Sequence, residues 1–150
     1  MQRAVRRRPK TLTAADYRRL AEFRYLLRQF LHFSEQAAED AGLTAQQHQA
    51  LLAVKGFGGA GPLTVGDLAQ RLGIKHKSAV GLVDRLLANS LMKRQSAAED
   101  RREVLLTLTA KADKILAGLS AAHHDELQRI APLLQGLLKH FKPARPKTRS

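Results

Sequence analysis

The sequence predicts a mainly α-helical fold in which two long terminal helices flank a compact set of shorter helices and a two-stranded β-ribbon. Three observations carry this. The apolar residues are chiefly Leu, Ala and Val, aromatics make up 5%, and Trp and Cys are absent, which suits packed helices better than a β-sandwich or a disulfide scaffold. Four Leu-Thr pairs, Leu12-Thr13, Leu43-Thr44, Leu63-Thr64 and Leu108-Thr109, each stand where a helical pattern is about to begin. Two short β-type runs, Leu91–Gln95 and Glu103–Leu108, enclose a polar tip. A chain of 150 residues is enough for one domain, assigned here to residues 11–142 between basic tails at 1–10 and 143–150.

Each threonine is a candidate N-cap, because its oxygen can accept from a free N–H of the first turn while an acid or amide three residues on answers to the cap's own N–H. Asp16, Gln47 and Asp67 hold that place. The leucine before the cap can staple onto the fourth helical residue, pairing Leu12 with Tyr17 and Leu63 with Leu68. The first helix should run from Thr13 to Ala41 and stop at Gly42, with Leu20, Phe23, Leu27, Phe30, Leu31 and Ser34 at three-four spacing. Leu26, Phe33 and Ala37 widen that stripe. A helix apolar on more than one side has more to bury than one chain can cover, which implies a homodimer.

The second helix is expected over Ala45–Val54, ending in the glycine-rich run Gly56–Pro62. No Lys-Ser or Lys-Thr pair follows these glycines, so the pattern of a nucleotide-phosphate loop fails and a connector remains. The last helix should begin after Thr109 and continue through Ile115, Leu116, Leu119, Leu127 and Ile130. Pro132 is expected to break or kink it before Leu133, Leu134, Leu137, Leu138 and Phe141. Residues 13–41 and 109–142 would then be dimerisation helices around a core at 44–108.

That core holds the most informative stretch. Val65, Leu68, Ala69 and Leu72 line one face of a short helix that Gly73 can end, and Ala79, Leu82, Val83, Leu86 and Leu87 line one face of the next. Two short helices joined by a tight glycine turn make a helix-turn-helix, whose second helix enters the DNA major groove by its N-terminal end. Lys75, His76, Lys77 and Ser78 sit at that end and off the apolar face, within reach of phosphates and base edges. Gly81, one turn on, would let the backbone approach DNA closely. The ribbon that follows carries Arg94 on its first strand and Ser96-Ala97-Ala98-Glu99-Asp100-Arg101-Arg102 at its tip. A ribbon of this kind is a wing, and an arginine at its tip can enter the narrow minor groove while a neighbouring acid holds its side chain. The fold class is therefore a winged helix-turn-helix.

From the first helix to Phe141 the order of elements resembles the MarR family of bacterial transcription regulators. The most telling motifs are Ser78-Ala79-Val80-Gly81-Leu82-Val83-Asp84-Arg85-Leu86, and Asp100-Arg101-Arg102 before Val104-Leu105-Leu106-Thr107-Leu108-Thr109. The resemblance implies that Asp100 and Arg102 are the wing aspartate and minor-groove arginine, that Arg101 contacts phosphate, that residues 75–82 read double-stranded DNA at a palindromic operator, and that the chain ends intertwine in a homodimer. It also implies a repressor released from DNA by a small aromatic or phenolic effector, with Arg24, Tyr25, Arg28 and His32 as candidate lining residues. Two departures stand out. Asn89-Ser90 replaces the glycine usual before the first wing strand, where asparagine can take the left-handed conformation. Lys75 replaces Ser or Thr at the start of the reading helix, which leaves room for a phosphate to complete the cap.

Charge agrees with such a partner. The formal net charge is +13; ten of those charges come from the acid-free stretches 1–10 and 139–150, through Arg3, Arg6, Arg7, Arg8 and Lys10 at one end and Lys139, Lys142, Arg145, Lys147 and Arg149 at the other. A polyanion is the partner most strongly drawn to that field. No cofactor or metal is expected: His123-His124-Asp125-Glu126 places adjacent groups about 100° apart on a helix without an H-x-x-x-H or Cys partner, and His32 and His48 read as packing or pocket residues. No nucleophile-and-base pattern appears, so an enzyme is not expected. The absence of an apolar run of membrane length, and of a secretory apolar core after the arginine-rich start, places the protein in the cytoplasm. The rival reading is a basic winged-helix interaction module that binds nucleic acid without regard to sequence, or a protein partner.

Overall fold

In the computed structural model, residues 11–57, 62–96 and 104–142 are described. They form α1 (Ala14–Asp40), α2 (Ala45–Phe57), α3 (Val65–Leu72), α4 (His76–Ala88), β1 (Met92–Ser96), β2 (Val104–Leu108) and α5 (Ala110–Leu138). All four threonines cap as the sequence suggests. Thr13 with Asp16 and Thr64 with Asp67 form full capping boxes. Thr44 accepts from the Gln47 N–H at 3.1 Å while the Gln47 side chain accepts from the Thr44 N–H at 3.0 Å, and Thr109 accepts from the Ala112 N–H. The polar N–H groups of four helix starts are thereby satisfied at fixed residues.

Three helix ends close in a second common way. The Leu43 N–H bonds back to the Ala38 carbonyl, Ile74 to Ala69 and Leu91 to Leu86, at 2.9, 3.1 and 2.9 Å, the six-to-one bond of a Schellman turn. Each turn needs a residue with positive φ. Gly42 (+79°) and Gly73 (+64°) supply two of them. The third is Ser90 at +57°, with Asn89 at −87° as the cap before it, so the left-handed position falls one residue later than the asparagine reading places it. The Ser90 carbonyl accepts the Thr109 hydroxyl at 2.7 Å, a bond that helps to hold a side-chain-bearing residue in this conformation.

The core sits where α2, α3, α4 and the ribbon meet, around the fully buried Leu51, Leu68, Leu82, Val83, Leu86 and Leu106. The ends of α1 and α5 nearest this unit join it through Ala38 and through Ala112, Leu116 and Leu119. β1 and β2 pair antiparallel from Met92↔Leu108 to Ser96↔Val104. A feature absent from the sequence reading is the bridge Leu63↔Leu106, in which the Leu106 N–H donates to the Leu63 carbonyl at 2.8 Å and fastens the ribbon to the entrance of α3.

Three expectations need correction. α2 extends to Phe57 rather than Val54, because Phe57 takes the Arg71 guanidinium of α3 over its ring at 3.8 Å, a cation–π contact. α5 is not broken at Pro132; the helix runs on between buried Ile130 and half-buried Leu134, with Pro132 and Leu133 exposed. Leu12 and Tyr17 are both exposed, whereas Leu63 and Leu68 are both buried.

Away from the core, α1 and α5 leave much apolar surface uncovered. Apart from Leu52, Phe57 and Val104, every large apolar side chain exposed among the described residues lies on these two helices or their flanks, including Leu20, Tyr25, Leu27, Leu31, Leu127 and Leu133.

The strained turn gives the first prediction. Ser90→Gly should raise the free energy of unfolding by about 1 kcal/mol, since glycine removes the left-handed penalty of a side chain and keeps the carbonyl that Thr109 binds. Urea denaturation measures it, and a loss of stability would show that Ser90 carries no strain.

Candidate nucleic-acid interface

α4 is seated by Ala79, Leu82, Val83 and Leu86, all buried at three-four spacing. This seating turns Lys77, Ser78, Asp84 and Arg85 outward. The helix begins at Lys75, which makes no side-chain cap bond, and its first turn contains no acid. The first helical bond is the one from the Ala79 N–H to the Lys75 carbonyl. The N–H groups before it lack a side-chain cap and sit among Lys75, His76 and Lys77, all exposed. The free amide dipoles and the lysine charges add to a local positive field suited to an anion.

The structure brings Lys75, His76, Lys77 and Ser78 together at this end. Gly81 lies one turn on, at the side of an open groove of about 480 Å³ lined by Gln46, Ile74, Lys77, Ser78, Gly81 and Arg85. Arg94 does not stand free beside them, because its guanidinium pairs with Asp84 of α4 at 2.7 Å and ties β1 to the outer face of that helix. Asp100, Arg101 and Arg102 lie outside the described residues. Gln46, Asp84 and Arg85 belong to this surface but were not among the expected contacts. The i, i+4 relation of Gly81 and Arg85 was a signal for one of them, whereas the approach of α2 through Gln46 needs the tertiary fold.

A second cavity, of about 640 Å³, opens along α1 and is lined by Tyr25, Arg28, Gln29, His32, Phe33, Gln36 and Glu126. Three of the four expected effector residues line it, and Arg24, exposed on α1, does not. Glu126 is held by Arg129 through two bonds, at 3.0 and 2.7 Å, and the hydrogen bond from Arg129 keeps its carboxyl below the ordinary value.

Comparison with known proteins agrees with this architecture. Residues 41–103, from the end of α1 into the wing, match the family model described as MarR family. Through these residues the chain is similar to the MarR family. A Bacillus subtilis (strain 168) protein described as the uncharacterized HTH-type transcriptional regulator YfiV is 40% identical over 74 residues, which are 49% of this chain and 46% of that protein. The chain thus spans about half the length of the curated relative it matches. Among solved structures, AbsC, a MarR family transcriptional regulator from Streptomyces coelicolor, superposes with a TM-score of 0.69 at 20% identity over 90% of this chain and 95% of its own. The S. aureus MepR–DNA complex gives 0.60 at 22% identity over 79% and 94%. At such identities the shared property is the fold. The family and these relatives are regulators rather than enzymes.

The histidines of α2 and α5 pack together. His123 Nδ1 lies 2.6 Å from the Leu119 carbonyl, an acceptor, so that nitrogen carries a proton. Its Nε2 is 2.8 Å from the Ser34 hydroxyl of α1, and the ring meets Phe30 and Phe33 edge-on. Buried His48 stacks at a tilt, 4.9 Å from His123. The residues around His123 thus join three helices, and no cluster of metal-binding groups occurs among the described residues.

Burial, and secondarily the nearby His123, lowers the pKa of His48. The folded state therefore binds a proton less readily than the unfolded chain. The stability linked to this neutral histidine is fully present above about pH 6.5, the unfolded value, and is lost as pH falls from there toward the depressed folded value. Denaturation curves between pH 7.5 and 5 should show that decline, and His48→Gln should flatten it; a mutant with an unchanged pH slope would exclude His48 as the cause.

Proposed function

We propose that the chain is a homodimeric, sequence-specific double-stranded DNA-binding regulator of transcription, acting as a repressor, with α4 as its reading helix and the ribbon as its wing. The observation that carries this reading is the start of α4: an uncapped helix end among exposed Lys75, His76, Lys77 and Ser78, presented outward by a fully apolar inner face. Such an end binds phosphate through its N–H groups while its side chains reach base edges. The MarR-family match over the same residues supports it, as does the DNA-bound form of a structural neighbour. Asp100, Arg101 and Arg102 take the wing roles that the family resemblance implies. The tails at 1–10 and 143–150 add attraction without reading sequence.

In this reading the uncovered apolar faces of α1 and α5 pack against a second copy. Sedimentation at micromolar concentration should give a dimer, and a stable, well-folded monomer would sink the architecture. The effector is a small aromatic or phenolic anion in the cavity beside α1, where Arg28 and His32 offer charge or hydrogen bonds and Tyr25 and Phe33 offer rings. A volume of about 640 Å³ falls in the range of small-molecule sites.

Two recognition helices on a dimer axis meet successive turns of the major groove, roughly 34–36 Å apart, and so favour a palindrome. Selection of bound genomic fragments should recover one. Replacing both His76 and Lys77 by Ala should narrow the gap between that site and random duplex, by about 1–3 kcal/mol per lost base contact. Deleting residues 1–10 should instead weaken all DNA binding alike and flatten its salt dependence. If the wild type prefers no sequence, the non-specific module becomes the better account.

A further inference from the structure

We infer that Arg85 is a sequence-reading residue of α4, laid back over Gly81 so that its guanidinium meets a guanine edge in the major groove. The inference rests on the reading that α4 enters that groove. Gly81 is the starting point. It lies inside a helix, where glycine costs about 1 kcal/mol relative to alanine, and its φ is not left-handed, so the backbone does not require it. Nor does packing: a Cβ added there would meet nothing within 4 Å except Arg85 Nη1, at 3.7 Å. The space left by the missing side chain is therefore bordered by the Arg85 guanidinium, which reaches back along the helix from four residues on.

That course carries the charge from the far part of α4 toward its reading end. Arg85 lines the open groove with Lys77 and Ser78 of the first turn and with Gln46 of α2. It is also uncommitted among the described residues. Of the three arginines in α3, α4 and β1, Arg94 pairs with Asp84 and Arg71 covers the Phe57 ring. The Arg85 guanidinium has no hydrogen bond, ion pair or ring contact among the described residues. An exposed guanidinium with its planar donors unpaired matches the two acceptors, O6 and N7, that guanine presents in the major groove. A phosphate contact would need only the charge, and lysine would serve it nearly as well.

The test uses the full chain and the duplex it selects best. Wild type, Arg85→Lys and Arg85→Ala are titrated against this duplex, against versions with single guanines replaced, and against random duplex, at two salt concentrations. Thermal melting checks that the exposed substitutions leave the fold intact. Arg85→Lys is expected to lose about ten-fold or more in affinity for the selected site and to become indifferent to one G·C pair in each half-site, while its binding to random DNA and its salt slope stay at wild-type values. If Arg85→Lys keeps full selectivity, or Arg85→Ala weakens every duplex equally with a shallower salt slope, Arg85 is a phosphate contact and the inference is overturned. A wild type that selects no sequence fails at an earlier step and refutes α4 as a reading helix altogether.

Discussion

The Thr109 hydroxyl joins the parts of this molecule that must keep a fixed relation. It accepts from the Ala112 N–H and so starts α5, and it donates to the Ser90 carbonyl at the turn between α4 and β1. The Thr109 N–H in turn donates to the Leu91 carbonyl at 3.3 Å, and Lys111 reaches the Asn89 carbonyl at 3.2 Å. The end of the outward-facing helix, the base of the ribbon and the start of the longest helix thus share one small set of polar bonds. Carbonyls leaving a helix near a core must find donors. Here those donors come from the segment that follows the ribbon, so the orientation of α4 is bound to that of α5.

Much of the architecture was legible because its signals are local. A threonine three residues ahead of an acid or amide, and a glycine after an apolar stripe, act through one turn of backbone; three of the four caps follow that threonine rule, and Thr109 caps with Ala112 in the third place. The apolar spacing of Ala79, Leu82, Val83 and Leu86 likewise determined which side of α4 is turned outward. Tertiary effects were not legible in this way. Phe57 stays helical with Arg71 of another helix over it, Pro132 stands inside an unbroken helix, and Leu63 joins the ribbon across a long stretch of chain. At the candidate site, composition marked the basic start of α4 but could not distinguish a free arginine from one already paired. Among the described residues Asp84 pairs with Arg94 and no acid pairs with Arg85, a difference that residue type alone does not carry.

The polar interior has its own division of labour. The described residues leave no buried side-chain donor or acceptor unsatisfied, and buried His48 and half-buried His123 are built into the junction of α1, α2 and α5 rather than into the outward face. Its bonds to Ser34 and Leu119 fix the ring of His123, and through it the angle at which the terminal helices leave the core. The basic groups of α4 and its groove carry no such structural duty: Lys75, His76, Lys77 and Arg85 can be changed with little consequence for packing.

The ribbon edges carry a further consequence. Leu63 occupies the outer side of β2 at Leu106, so the sheet has β1 as its open edge, with Lys93, Arg94, Gln95 and Ser96 exposed along it. A two-stranded sheet with a bare, flat margin is a template on which another strand can add. In this chain β2 is met from within at Leu106, while the other margin bears Lys93 beside an Arg94 already paired with Asp84, so a strand adding there meets the Lys93 charge.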